Sequence, residues 1–136
     1  MTEYKLGTGL VDGEATPLVL CNEKIYALRD VLGGAAVSGL EDVFADWASF
    51  DPLISERAGA AEAPELDPNA ITFLTPLANP RKVVCIGTNY HDHLEEMKVT
   101  HLPEFPYAFM RPQTCLAAHG EDVPLPEGAK MNDWEA

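Results

Sequence analysis

His93 and Glu96 stand three residues apart in the stretch HDHLEEMK, which is rich in helix formers. Residues at that spacing share one face of a helix, so the imidazole and the carboxylate can meet. A carboxylate against one ring nitrogen fixes the tautomer and raises the basicity of the other, the arrangement of a water-activating base. The same spacing also describes an ordinary solvated helix face, and spacing alone leaves both readings open. His91 and His93 project to the same side of an extended chain, but on a helix they diverge by about 200° and do not converge on one ion. His91 is therefore expected at the surface. Asp133 and Glu135 alternate, so on a strand they point to one face and offer hard oxygens to Mg²⁺, Mn²⁺ or Ca²⁺. They are equally an ordinary polar edge. Cys85 lies inside an apolar run and reads as packing. Cys115 has no adjacent His or basic residue to generate a thiolate. Gly33-Gly34 lacks the Lys-Ser/Thr tail of a phosphate loop.

The elements around these residues follow from pattern. Residues 82–86 (KVVCI) form a β-branched run of strand length bounded by Gly87, read here as a buried strand. Residues 88–90 turn the chain, and residues 91–98 predict a helix. A His–Glu pair just past a buried strand would sit where sites of α/β type tend to open. Pro103 and Pro106 keep the following segment out of a helix, residues 107–110 predict a strand, and residues 123–128 are extended and turn-rich. Residues 133–136 look like the opening of another strand. Ahead of Arg81, residues 4–11 predict a strand closed by the Asp12-Gly13 turn. Residues 17–21 and 24–28 around Asn22-Glu23 predict a hairpin, with Pro17 at a strand start. Ser38 and Glu41 have the spacing of a capping box, and Leu40, Val43, Phe44 and Trp47 of a single buried stripe. Asp51-Pro52 is expected to break that helix, with Leu53, Ile54 and Arg57 in a short second one. Residues 59–70 read as a surface connection and residues 71–77 as a further strand. A boundary between Pro76 and Arg81 divides the chain into residues 1–77 and 78–136.

Composition narrows the classes. At 136 residues the chain makes one medium domain or two small ones. Its 46% apolar and 23% charged residues are ordinary for a globular protein. Nine Lys and Arg against 22 Asp and Glu leave a net charge of −13. That balance argues against nucleic acid, which demands a basic surface, and against docking on anionic membrane lipid. No apolar run approaches the roughly 20 residues that cross a bilayer. MTEYKLGTGL lacks the basic head and apolar stretch of a secretory signal. Three widely spaced cysteines without a CxxC point away from a disulfide framework or zinc ribbon. A reducing cytoplasm is the expected compartment.

Taken together, KVVCIGTNYHDHLEEM, FPYAFMRPQTCLAAHGEDVPLP and NDWEA resemble the fumarylacetoacetate hydrolase family. Its pattern of strand, Gly-x-Asn-Tyr turn and His/Glu helix maps onto Gly87, Asn89, Tyr90, His93 and Glu96. Its Phe-x-Lys-Pro segment maps onto Phe109, Arg111 and Pro112, and its Asp-x-Glu-x-Glu strand onto Asp133 and Glu135. The resemblance covers residues 82–135 and the N-terminal portion of the family pattern only. Residues 1–77 fit loosely as the small variable domain that precedes the catalytic one. The fold implied is α+β and β-rich: a small N-terminal β/α domain, then the start of a β-roll catalytic domain, incomplete here. The activity implied is Mg²⁺- or Mn²⁺-dependent hydrolysis of a C–C bond in a small-molecule 2,4-dioxo acid, usually by a homodimer. By this analogy His93 is the base, Glu96 its orienting partner, Glu135 a metal ligand, and Tyr90 and Arg111 bind substrate. Arg111 replaces the usual Lys; arginine clamps a carboxylate but does not readily release a proton. Oxaloacetate decarboxylase, hydratase or isomerase, and ureidoglycolate-type lyase activities are alternatives within the family. A non-catalytic fragment without the full metal site is the alternative of another class.

Overall fold

The computed structural model describes residues 2–87, 90–100, 104–130 and 132, and is a mixed α/β, sheet-rich structure. Its residues fall into two compact units. One is built on the chain up to Leu77 together with described residues after Leu116; the other is Ala78–Leu116.

The first unit is an antiparallel sheet with helices on it. Strands β1 (Lys5–Val11), β2 (Glu14–Cys21) and β3 (Lys24–Ala27) form a meander. Both connections are two-residue turns with positive φ throughout: Asp12 and Gly13 at 52° and 83°, Asn22 and Glu23 at 51° and 65°. Such turns carry the right-handed twist that hairpin strands need. The two-residue strand β4 (Glu65–Leu66) and β5 (Thr72–Leu74) complete the order β4-β3-β2-β1-β5. A short helix α1 (Leu28–Val31) follows β3 and is closed by Gly33 and Gly34, both at positive φ. Then come α2 (Leu40–Ala45) and α3 (Trp47–Ala58). Val19, Leu28, Leu40, Val43 and Ile54 are fully buried at the centre of the core.

Several expectations are corrected here. Pro17 does not start a strand but lies inside β2, opposite Thr8. It is tolerated because β3 pairs only from Leu18 onward, so β2 has a single paired neighbour at that point. Ser38 does not pair with Glu41. Its N–H and hydroxyl both donate to Asp42 Oδ2, at 2.8 and 2.7 Å, and Gly39 is the N-cap, so the helix begins one residue later than the capping-box spacing implies. Those two bonds hold the Asp42 carboxyl below its ordinary pKa. The expected stripe is only half buried. Leu40 and Val43 are in the core, but Phe44 and Trp47 are 48% and 42% exposed and stack on each other at 5.6 Å. The helix breaks at Asp46 (φ −131°, ψ 52°), so Trp47 opens a new helix and does not continue the old face.

Pro52 does not end a helix either; α3 runs through it. An interior proline costs about 3 kcal/mol, whereas burying one large aliphatic side chain returns about 1.5–3 kcal/mol. α3 seats Ile54 and Ala58 in the core and packs Phe50 and Leu53 against it, so burial outweighs the lost bond. The connection at 59–70 is not wholly irregular, since it contributes β4 and a 3₁₀ turn at Pro68–Ala70.

The second unit is a two-stranded antiparallel ribbon, β6 (Val83–Gly87) with β7 (Tyr107–Arg111), and the helix α4 (His91–Glu96) between them in sequence. β6 is not the buried strand expected. Val84 and Ile86 are 52% and 54% exposed, on the ribbon face that also carries Ala108 and Met110. Two strands give a residue one packed face at most, which is why a run of valines and isoleucine stays half open here. The strand expected at 133–136 lies outside the described residues.

Candidate functional site

The site is built on α4. β6 ends at Gly87, and after Thr88 and Asn89, which lie outside the described residues, the chain resumes at Tyr90. Tyr90 is the N-cap, in extended conformation (φ −107°, ψ 135°), and its carbonyl accepts from Leu94 N–H at 3.0 Å. The far end closes tightly. Lys98 adopts φ 56°, its N–H donates to Glu95 O at 3.0 Å, and Val99 N–H donates to Leu94 O at 2.9 Å. These two bonds make a Schellman motif, with a lysine in the left-handed position that glycine usually fills. Leu94 is 5% exposed and pins the rotation of the helix.

That rotation brings the expected pair together. His93 Nδ1 lies 3.7 Å from Glu96 Oε2, an ion-pair distance longer than a hydrogen bond. The side chains are 46% and 81% exposed, so water shares both groups and the pair contributes little to stability. What such a pair can do chemically is orient the ring. A carboxylate on the Nδ1 side favours the tautomer whose Nε2 lone pair is free to take a proton. The backbone N–H of His93 donates to the Asp92 side chain, at 2.9 Å to Oδ1, within the first turn of the helix. His91 is exposed, as expected.

The remaining candidates are distributed. Tyr90 is 73% exposed at the start of α4. Arg111 pairs with Val83, at the end of the ribbon away from Gly87, and its guanidinium lies over the Phe109 ring at 5.5 Å. A cation against an aromatic face is attracted to the ring's electrons, and a planar guanidinium has the shape to clamp a carboxylate. Glu135 and Asp133 lie outside the described residues. Among the described residues no three His, Cys, Asp or Glu side chains come together to hold a metal ion. Cys21 is buried, Cys85 partly buried and Cys115 exposed, all as free thiols. Among the described residues no helix is long and apolar enough to cross a membrane.

One contact at the strand end ahead of α4 escaped the sequence reading. Tyr107 pairs with Gly87, and its ring occupies the space a Cβ at 87 would need. The alternation in YAFMR puts Tyr107, Phe109 and Arg111 on one face of β7, and that is the signal that could have found it.

Comparison with known proteins bears out the resemblance. Residues 82–136 match the family model described as fumarylacetoacetate (FAA) hydrolase C-terminal. The chain is 38% identical over 82 residues to the human protein named oxaloacetate tautomerase FAHD2A, mitochondrial, covering 60% of this chain and 26% of that protein. It is 35% identical over 82 residues to the rat protein of the same name, with the same coverage. It is 37% identical over 71 residues to an uncharacterized protein of Archaeoglobus fulgidus, covering 52% of this chain and 28% of that one. The matched stretch thus spans about a quarter of the length of these relatives. No solved structure matches.

Proposed function

We propose, from the match of residues 82–136 to the fumarylacetoacetate hydrolase family model, that this chain belongs to an enzyme that moves a proton on a small 2-oxo dicarboxylic acid, interconverting the keto and enol forms of oxaloacetate. The observation that carries the reading is the His93–Glu96 pair on α4, with Nδ1 3.7 Å from the carboxylate. Identity of 35–38% over 82 residues to proteins named oxaloacetate tautomerase supports this choice of substrate class.

The chemistry is balanced without a further reactant. His93 Nε2 takes a proton from the carbon beside the carbonyl, the C–H electron pair becomes the enolate, and the same proton is returned to oxygen. Glu96 holds the ring in its productive tautomer and offsets the positive charge His93 gains while it carries the proton. Arg111 anchors a carboxylate of the substrate, and Tyr90 lines its approach. A divalent cation, Mg²⁺ or Mn²⁺ with Ca²⁺ as a further candidate, would stabilise an enolate as a Lewis acid. Its proposed ligand Glu135 is outside the described residues, and the described side chains do not form a metal centre by themselves. No step is therefore assigned to a metal.

C–C hydrolysis of a 2,4-dioxo acid is the second reading, favoured by the family match itself. The same base then takes its proton from water, the hydroxide adds to the carbonyl, and the C–C bond breaks to release an enolate that is protonated in turn. In either case residues 78–136 are proposed as part of the catalytic domain and residues 1–77 as an accessory one. Assembly as a homodimer belongs to the same proposal.

Assays of the purified protein with Mg²⁺ and with EDTA separate the readings. Faster loss of the ultraviolet absorbance of enol-oxaloacetate, without cleavage products, supports the tautomerase. Cleavage of an acylpyruvate supports the hydrolase. Turnover of neither substrate overturns both and leaves the chain a non-catalytic module.

A further inference from the structure

β6 delivers the chain to α4, and its last residue is the buried Gly87. Across the ribbon stands Tyr107, with ring atoms Cε2, Cζ and Cδ2 all lying where a side chain at 87 would begin. A Cβ could not share that space, so the ring rests directly on the glycine backbone. Only Thr88 and Asn89 separate Gly87 from Tyr90, the N-cap of α4. Three peptide steps span at most about 11 Å, so the position of Gly87 bounds where the helix can start. Further along the same face of β7 come Phe109 and Arg111, whose guanidinium lies over the Phe109 ring.

We propose that Tyr107 is a positioning residue for the His93–Glu96 pair: its ring clamps Gly87 and so fixes the strand end from which α4 departs. The proposal rests on the reading that this pair handles the proton. A six-residue helix has little rigidity of its own, and its aim depends on what holds its ends. At the C-terminal end the holding device is the Lys98 turn; at the N-terminal end it is the aromatic–glycine contact.

Steady-state kinetics and the ring chemical shifts of His93, measured on the full chain, test this together. Tyr107→Phe keeps the ring and is expected to hold kcat and the His93 resonances closer to the parent than the leucine variant does. Tyr107→Leu removes the plane and is expected to lower kcat by about tenfold or more with KM within about threefold, while the His93 resonances move. Combined with His93→Ala, it should cost nothing beyond His93→Ala alone. Where the leucine variant loses the sheet signal in circular dichroism, Tyr107→Ile, which favours strands, replaces it. Unmoved His93 resonances and parental kcat in the ringless variant overturn the proposal, as does a loss that adds fully to that of His93→Ala. Full activity of His93→Ala instead defeats the reading of the pair, while the His93 resonances still report on the clamp.

Discussion

At the scale of single residues, the proposed chemistry makes unequal demands on the two members of the pair. Losing a general base commonly costs 10²–10⁴-fold in rate, so His93→Ala should lower kcat by about 10²-fold or more. Glu96→Ala only frees the tautomer and should cost about tenfold, because an exposed carboxylate 3.7 Å away orients weakly. Stopped-flow turnover of oxaloacetate checks both, and a larger effect at Glu96 than at His93 would contradict the assignment. A second residue-scale effect lies far from the site. Tyr4 donates its phenol proton to Asp51 Oδ1 at 2.5 Å. Burial first, then that bond and the carboxylate charge, raise its pKa well above the ordinary value. The folded chain therefore binds the phenol proton more tightly than the unfolded chain does. The stability this supplies is complete below about pH 10, the pKa of an unperturbed tyrosine, and is lost as pH climbs above it. Melting temperatures measured from pH 8 to 11 should fall more steeply for the parent than for Tyr4→Phe. Parallel curves would remove Tyr4 from the alkaline transition.

At the scale of elements, the longer strands were legible, though not the short β4, and the helix limits were not. A β-leaning run closed by Asp12-Gly13 marked β1, while the polar pair Asn22-Glu23 between apolar runs marked the β2–β3 hairpin, because both signals are local. The single break at Asp46 and the uninterrupted passage through Pro52 were hidden. Each depends on what α3 packs against, and no window of sequence contains that. The site was legible to the same degree: an i, i+3 spacing foretold that His93 and Glu96 would meet, but cross-strand register alone put Tyr107 on Gly87. α4 also shows a local conflict. Lys98 holds a left-handed conformation that costs a side-chain-bearing residue about 1 kcal/mol or more. Lys98→Gly should therefore stabilise the Schellman turn, partly offset by the greater freedom of glycine in the unfolded chain. The expected gain is about 0.5 kcal/mol by urea denaturation, and Lys98→Val should lose stability instead.

At the scale of the whole molecule, charge is unevenly shared. Between residues 78 and 116, Arg81, Lys82, Lys98 and Arg111 balance Asp92, Glu95, Glu96 and Glu104, so the net charge of −13 belongs to the rest of the chain. A neutral segment around the His–Glu pair does not repel an anionic substrate, whereas the acidic remainder repels itself. Raising NaCl from about 20 to about 500 mM should therefore raise the melting temperature by screening that repulsion. A fall or no change would show that favourable ion pairs, such as Lys24–Glu65 at 3.1 Å, matter more than the net charge. The half-exposed stack of Phe44 and Trp47 at the α2–α3 break offers an optical handle on the same acidic unit. With Trp134 replaced by phenylalanine the chain has one indole emitter, seated where iodide can quench it. Its fluorescence then reports the bend between two helices, and a denaturant that straightens that bend would register there before the interior melts.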